Sequence, residues 1–134
     1  MVWKRAGLAM MAMILGTGAS AIESHPLSRY AGTSRVLVLA APDARNDRLS
    51  AQRQALASAR TGASERDLVV VEAVGDGPEA AAIRRALGLP ADAFRAVLVG
   101  KDGGAKLTSA EPIPPQTLFS TIDAMPMRRN EMRR

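Results

Sequence analysis

Residues 35–47, RVLVLAAPDARND, join a strand pattern directly to a helix start. The first seven of these residues form a short apolar run that is typical of a strand buried on both faces of a sheet. Pro42 ends the run because proline cannot donate a hydrogen bond to a neighbouring strand. Asp43, Asn46 and Asp47 are all residue types that cap helices. The stretch therefore predicts a strand-to-helix junction at one end of a sheet.

The composition excludes thiol chemistry at this junction and elsewhere in the chain. There is no cysteine, which rules out disulfide exchange, peroxide reduction by a thiol, cysteine nucleophiles and cysteine-ligated metals. His25 is the single histidine, so the chain lacks the histidines that a His-rich metal site needs and has only one candidate for a Ser-His-Asp triad. We interpret His25 as a solvated residue near a terminus. We therefore predict no catalytic residue, no cofactor and no metal site.

The first 21 residues, MVWKRAGLAMMAMILGTGASA, have the pattern of a secretory signal peptide. Two basic residues precede a short apolar segment, and Ala19-Ser20-Ala21 gives the small-x-small cleavage pattern. About ten apolar residues make roughly 15 Å of helix, which is about half of a hydrocarbon core. We therefore predict cleavage after Ala21 and a periplasmic or secreted location.

The net charge of +5 comes from the two ends of the chain. Residues 22–126 carry twelve basic and twelve acidic side chains, whereas the last eight residues, MRRNEMRR, hold four arginines against one glutamate. Only three aromatic residues follow Ala21, which is too few for a base-stacking surface. We therefore expect no binding to nucleic acid.

A helix and a second strand pattern follow the junction. Apolar residues recur at helical spacing from Arg48 to Arg60, and Thr61-Gly62 is placed to stop that helix. Residues 67–74, DLVVVEAV, form the strongest strand pattern in the chain. Four β-formers in succession favour a central strand that is buried on both faces.

The second half of the chain continues the alternation. A helix is predicted from Pro78, which suits a first helical turn, to Gly88, which suits a C-cap. Asp-Gly supplies the positive φ angles of a hairpin turn, and the same turn explains the glycines of LVGKDGGAKL, which lack the phosphate-loop spacing GxxxxGK[ST]. The remaining predicted elements are a strand over 95–100, a turn over 101–104, a returning strand over 105–109 and a last helix that Pro126 ends.

The order β-α-β-α-β-β-α is that of the thioredoxin fold. We expect the two early crossovers to join parallel strands and the Asp-Gly turn to join an antiparallel pair. The prediction is an α/β fold with a central mixed sheet and helices on both faces. The expected segments are a signal peptide (1–21), a flexible lead-in (22–33), a thioredoxin-like domain (34–126) and a basic C-terminal tail (127–134).

Three segments resemble an exported bacterial family known as domain of unknown function 4174. They are DLVVVEAVGDG (67–77), FRAVLVGKDGGAKLTS (94–109) and IDAMPMRRNEMR (122–133). The resemblance spans residues 26–133. This family is regarded as thioredoxin-like, and related domains occur in vertebrate sushi-repeat-containing matrix proteins. The resemblance implies a fold and an exported location, and it implies no established catalytic activity.

Within the wider thioredoxin fold, this sequence lacks both redox landmarks. Ala44 and Asp47 lie near the positions where the cysteine pair would be. Arg95 falls at the position of the cis-proline, counted back from the turn that starts at Lys101, and Pro90 is five residues earlier. We therefore expect the redox apparatus to be absent.

The vacated junction is the first candidate binding site. A helix N-terminus offers free N–H groups that suit an anion. Asp43, Arg45, Asn46 and Asp47 would line it, with Arg95 across the groove. One hypothesis is a small anion or a peptide carboxylate bound here, and another is an enzyme that uses the carboxylates. The alternative is that Asn46 or Asp47 caps the helix and the acidic side chains neutralise the site.

The C-terminal arginines are the second candidate site. Arg128, Arg129, Arg133 and Arg134 could contact an anionic lipid or polysaccharide surface, which would make any membrane contact peripheral. The alternative is a solvated chain end. We expect the protein to be a non-catalytic interaction module whose partner is an envelope or extracellular protein or a polyanion. The rivals are a non-thiol enzyme and a surface-associated structural protein that uses the tail.

Overall fold

The computed structural model describes residues 25–134, so the predicted signal peptide of residues 1–21 lies outside the described part. Within that part, four strands form one sheet between two layers of helices. The strands are β1 (Arg35–Ala41), β2 (Leu68–Val74), β3 (Arg95–Val99) and β4 (Ala105–Ser109), and the helices are α1 (Asp47–Ala57), α2 (Arg60–Glu65), α3 (Pro78–Leu87), α4 (Pro115–Asp123) and α5 (Pro126–Met132).

The strand order β2-β1-β3-β4 makes β1 and β3 the central strands. β1 pairs with β2 in parallel, and it pairs with β3 in the antiparallel sense. The predicted mixed sheet with helices on both faces is confirmed. The prediction of a second parallel crossover is wrong, because residues 88–94 carry the chain back to the end of the sheet where β1 finishes. Arg95 therefore pairs with Ala40.

Both hydrophobic cores are built on β1, whose seven residues are all buried. Alternate side chains of a strand point to opposite faces of the sheet, so β1 supplies the middle of each core. Burial of one leucine or valine side chain contributes about 1.5–3 kcal/mol. On one face Leu37, Leu39 and Ala41 pack with Leu49 of α1 and with Leu118 and Ile122 of α4; on the other, Val36, Val38 and Ala40 pack with Ala80 and Ile83 of α3.

The prediction of a central position for the strand at 67–74 is wrong. β2 lies at an edge of the sheet, and Val70 is 43% exposed. A run of valines is compatible with a central or an edge strand, and the position of β2 depends on where β3 pairs. Here β3 pairs with the edge of β1 that β2 leaves free. The other edge of β2 therefore has no strand partner among the described strands.

Thr61 and Gly62 do not stop a helix as predicted, since both lie inside α2. The first helix ends at Ala57 and the chain turns before α2 begins. A Cβ atom on Gly62 would lie 2.5 Å from Cε2 of Phe119. The glycine is therefore required for the close packing of α2 against the Phe119 ring, and it is not a helix terminator.

Pro126 begins a helix where the sequence analysis ends one. It occupies the first turn of α5, where proline is tolerated because that N–H has no helical partner. The predicted start of α3 at Pro78 and its C-cap at Gly88, with φ of 68°, are confirmed. In the hairpin turn only Gly103 has a positive φ, of 85°, so Asp102 does not need one.

The segment before β1 packs against the sheet. The sequence predicts a flexible lead-in over residues 22–33, but Leu27 is buried in the core on the α3 side. A short 3-10 turn follows at Ser28–Tyr30, and the amide of Gly32 donates to the carbonyl of Lys101 at 2.7 Å. The described part of the lead-in is thus attached to the domain.

Gln52 is a buried polar side chain that joins α1 to the segment after β4. Its Nε2 donates to the carbonyl of Ile113 at 2.9 Å, and its Oε1 accepts from the amide of Ile113 at 2.7 Å. The residue is 0% exposed. One side chain therefore satisfies both backbone groups of a buried residue.

Replacing Gln52 by Ala should destabilise the protein by roughly 3 kcal/mol, because two buried backbone groups of Ile113 would lose their partners. Urea denaturation followed by circular dichroism would measure this loss. The matched control is Gln54→Ala, since Gln54 is on the same helix and exposed. Equal stability of the two variants would contradict the role given to Gln52.

Candidate functional site

The strand-to-helix junction is closed by its own side chains. Asn46 is the N-cap of α1, and its Oδ1 accepts from the amide of Leu49 at 3.1 Å. Asp43 Oδ1 accepts from the amide of Arg45 at 2.8 Å. Asp47 lies in the first turn, where a negative charge complements the helix dipole. This geometry agrees with the capping alternative of the sequence analysis.

The cationic residues near the junction have internal contacts of their own. Arg48 Nε donates to Glu111 Oε1 at 2.8 Å. Arg95 lies at the same end of the sheet as the junction, as expected, but its Nη1 donates to the carbonyl of Phe94 at 2.7 Å. Arg45 is exposed. The fold thus brings the predicted residues to one end of the sheet without aiming them at a shared point.

Across residues 25–134, no group of three or more His, Cys, Asp or Glu side chains is arranged to hold a metal ion. In the same stretch, no helix is both long enough and apolar enough to cross a bilayer.

An ion pair with a fully buried cation lies at the other end of β1. Arg35 is 0% exposed, and its Nη1 and Nη2 donate to the two carboxylate oxygens of Glu131 at 3.2 Å each. Arg35 Nη1 also donates to the carbonyl of Arg66 at 2.8 Å. Glu131 belongs to α5, so this pair attaches the C-terminal helix to the first residue of the central strand. No sequence pattern indicates this pair, because its two residues are 96 positions apart.

Lys101 completes the charge balance around Glu131. Its Nζ donates to Glu131 Oε2 at 2.7 Å and to Asp67 Oδ2 at 2.8 Å. Burial alone would raise the pKa of Glu131, but hydrogen bonds from Arg35 and Lys101 outweigh it and lower the pKa to about 2. Glu131 therefore stays ionised wherever the domain is folded near neutral pH.

A second ionic group joins α2 to α4 and α5. Arg66 Nε and Nη2 donate to the two oxygens of Asp123 at 3.0 Å each, and its guanidinium lies 4.3 Å from the centre of the Phe119 ring. Arg128 Nε donates to Asp123 Oδ1 at 3.1 Å. The hydrogen bond from Arg66 is the largest contribution that lowers the pKa of Asp123.

The four arginines that the sequence predicts to contact an anionic surface differ in their exposure. The Arg128 side chain is only 13% exposed and is paired with Asp123, so it faces the domain. Arg129, Arg133 and Arg134 are exposed, although Arg133 also donates to the side chain of Asn130. Three of the four arginines are therefore placed where an outside surface could reach them.

Two grooves lie away from the junction, and neither is lined by a residue of the segment 43–48. The edge groove, of about 560 Å³, lies between α1, α2 and β2 and is lined by Leu56, Arg60, Ala63 and Val70 among others. The hairpin groove, of about 540 Å³, lies between the β3–β4 turn and the start of α5 and includes Lys101, Lys106 and Met125. Sequence patterns gave no signal for either groove, because each is formed by elements distant in the chain.

Comparisons with known proteins agree with the fold and name a family. A family model described as "Domain of unknown function (DUF4174)" matches residues 26–131. The sushi repeat-containing proteins SRPX of Rattus norvegicus and Homo sapiens are each 32% identical to the chain over 120 residues, which cover 79% of this chain and 26% of each relative. The chain therefore spans about a quarter of the length of these curated relatives.

One solved structure shares the fold. The reduced 2-Cys peroxiredoxin of Plasmodium vivax superimposes with a TM-score of 0.59 at 14% identity, over 79% of this chain and 84% of that chain. At this identity the likeness concerns the fold alone. It confirms the thioredoxin-like architecture that the order of elements predicts.

Replacing Glu131 by Gln should lower the free energy of unfolding by about 3 kcal/mol near neutral pH, because the buried cation Arg35 would lose its counter-charge. A carboxyl whose pKa is lowered on folding stabilises the protein above its ordinary pKa and loses this contribution as the pH falls. The difference between the natural chain and the variant should therefore shrink between pH 4.5 and about 2. Urea denaturation at several pH values would measure it.

The matched control is Glu111→Gln, which removes a carboxylate that pairs with Arg48 at the surface. Exposed pairs contribute little, so this variant should unfold almost as the natural chain does at every pH. A Glu131→Gln curve that runs parallel to that of the natural chain through the acid range would contradict the role of the buried pair.

Proposed function

The chain belongs to the DUF4174 family of domains of unknown function, and we propose that it is an exported, non-catalytic interaction domain of the thioredoxin-like fold. The single observation that carries the proposal is that the strand-to-helix junction has no thiol and that its polar side chains accept hydrogen bonds from nearby backbone amides. Asn46 accepts from an amide of α1 and Asp43 accepts from the amide of Arg45 in the loop before it, and the chain has no cysteine. The peroxiredoxin that shares the fold is named for two cysteines.

The relatives support a role in interaction. They are named as sushi repeat-containing proteins, and the matched segment is about a quarter of their length. A segment of this kind thus recurs as one part of larger proteins. The pattern of residues 1–21 supports export, with a periplasmic or secreted protein as the outcome. The partner that we propose is a protein or a polyanion of the envelope or of the extracellular space.

The proposal predicts specific capture of a partner without turnover. The full chain, purified after export and with its N-terminus read by mass spectrometry, would be cross-linked in envelope and extracellular extracts. We expect an N-terminus at Ile22 and recovery of a defined partner. An Arg45→Ala variant tests whether the junction contributes to capture, and Arg85→Ala, which removes an exposed arginine of α3, is its control.

Two results would overturn this proposal. One is a chain retained at the site of synthesis with residues 1–21 still attached. The other is a reaction accelerated by the purified protein and abolished by Asp43→Asn or Asp47→Asn, which would favour the rival proposal of a non-thiol enzyme that uses the junction carboxylates.

A second candidate function is contact with an anionic surface through α5 and the residues after it. The exposed positions of Arg129, Arg133 and Arg134 favour it, and exposed Met127, on the same helix, could add apolar contact. Deleting the whole segment would not test this function cleanly, because it would also remove Glu131 and leave Arg35 buried without its carboxylate.

Replacing Arg129, Arg133 and Arg134 together by Ala should weaken binding to vesicles that contain phosphatidylglycerol, since each basic residue near an anionic surface contributes about 1 kcal/mol. Co-sedimentation with these vesicles, and with vesicles of phosphatidylcholine alone, would measure it. The control for loss of charge elsewhere replaces three other exposed arginines, Arg29, Arg45 and Arg85, by Ala. Unchanged binding of the triple variant would reject the surface role of these arginines.

A further inference from the structure

The outer edge of β2 presents backbone groups without a strand partner among residues 25–134. The amide of Arg35 donates to the carbonyl of Asp67 at 2.8 Å, and the amide of Gly75 donates to the carbonyl of Ala41 at 3.1 Å. In a parallel pair these bonds recur at every second residue, so the odd-numbered residues of β2 are bonded to β1. The residues whose N–H and C=O groups face outward are therefore Leu68, Val70, Glu72 and Val74.

The two edges of the sheet differ in how they resist further pairing. Proteins protect exposed edges with short strands, lysines and bulges. β4 has all three features: five residues, Lys106, and a register shift against β3 at Leu98 and Val99. β2 has seven residues, no lysine, no proline and an exposed Val70. The β2 edge is thus open to pairing and the β4 edge is protected.

Opposite charges lie at the two ends of β2. Arg60 lines the edge groove beside Leu68 and Val70, and no ion-pair partner for it is found among the described residues. Past the other end, exposed Asp76 and Glu79 likewise have none in that part of the chain. Arg84, whose guanidinium donates to the carbonyls of Ala73 and Gly75 at that end, offsets one of these two carboxylates. The edge is therefore positive at its start and keeps a net negative charge at its end.

The remaining charges along this edge neutralise one another. Arg53 and Glu72 form a pair in the middle, with Nε donating to Oε2 at 2.7 Å. Asp67, at the start, is held by Lys101 at 2.8 Å. The unbalanced charges are thus the ones at the ends, which is the pattern that antiparallel pairing of two identical edges would satisfy.

We propose that β2 pairs with the β2 strand of a second copy of this chain, antiparallel, about a two-fold axis near Val71. In this register Val70 of one copy lies opposite Glu72 of the other, and the outward backbone groups bond across the interface. The two-fold places Arg60 of each copy at the acidic end, Asp76 and Glu79, of its partner. One sheet then continues through both copies. This inference goes beyond the proposed function, because capture of an outside partner does not require it.

The mass of the purified full chain in solution tests the proposal. Sedimentation equilibrium over a range of concentrations should show a dimer that dissociates on dilution. Val70→Glu places a carboxylate opposite Glu72 of the other copy and should give a single chain, because like charges directly opposite each other destabilise strand pairing. Thr108→Glu on the β4 edge should leave the dimer intact. Circular dichroism would show that each variant is folded. A single chain at every concentration would overturn the proposal.

Charge exchange tests the register without altering the strand. Arg60→Glu and Asp76→Lys should each raise the dimer dissociation constant by roughly tenfold or more, because each places like charges together at both ends of the interface. The double variant, Arg60→Glu with Asp76→Lys, should restore it. A double variant no tighter than the single ones would overturn the antiparallel pairing. A chain that forms the dimer but captures no partner from envelope or extracellular extracts would contradict only the proposed function.

Discussion

The pairing of Arg35 with Glu131 is the constraint on which the arrangement of this domain depends. Arg35 is the first residue of the strand that fills both cores, and its charge lies where water cannot reach it. A buried cation without a counter-charge costs several kcal/mol, so the central strand can take this position only if a carboxylate is brought to it. The helix α5 supplies that carboxylate, and Lys101 ties the hairpin turn to the same oxygen. One ionic group therefore joins the sheet, the hairpin and the C-terminal helix.

Sequence reasoning recovered the parts of the fold that local patterns determine. The apolar run at 35–41, proline at the start of α3 and Gly88 after its end each act through neighbouring residues, and the structure agrees with them. It failed where the deciding contact is distant. The local pattern predicts that Gly62 stops a helix, and this is wrong, because glycine is required there by close packing against Phe119, a residue distant in the chain. The edge position of β2 could not be predicted either, since valines suit both kinds of strand.

The candidate site shows the same division between local and distant effects. Residue type and spacing predict that Asp43, Asn46 or Asp47 caps α1, and the structure gives this role to Asn46, which accepts from Leu49. The commitment of Arg128 to Asp123 could not be predicted, because the count of arginines near the chain end gave no hint that one of them faces inward. Neither groove was visible in the sequence. Membership of a family without a known activity directs attention to surfaces of this kind.

The separation of Arg35 and Glu131 along the chain, 96 positions, also constrains the order of events during synthesis. The central strand emerges first, and the carboxylate that neutralises it is made only after the other strands. Until then a nascent chain can collapse around β1 only by burying an uncompensated cation or by leaving the strand exposed. The Arg35–Glu131 pair can therefore form only once residue 131 has emerged, so the rest of the central sheet is made before β1 acquires its counter-charge.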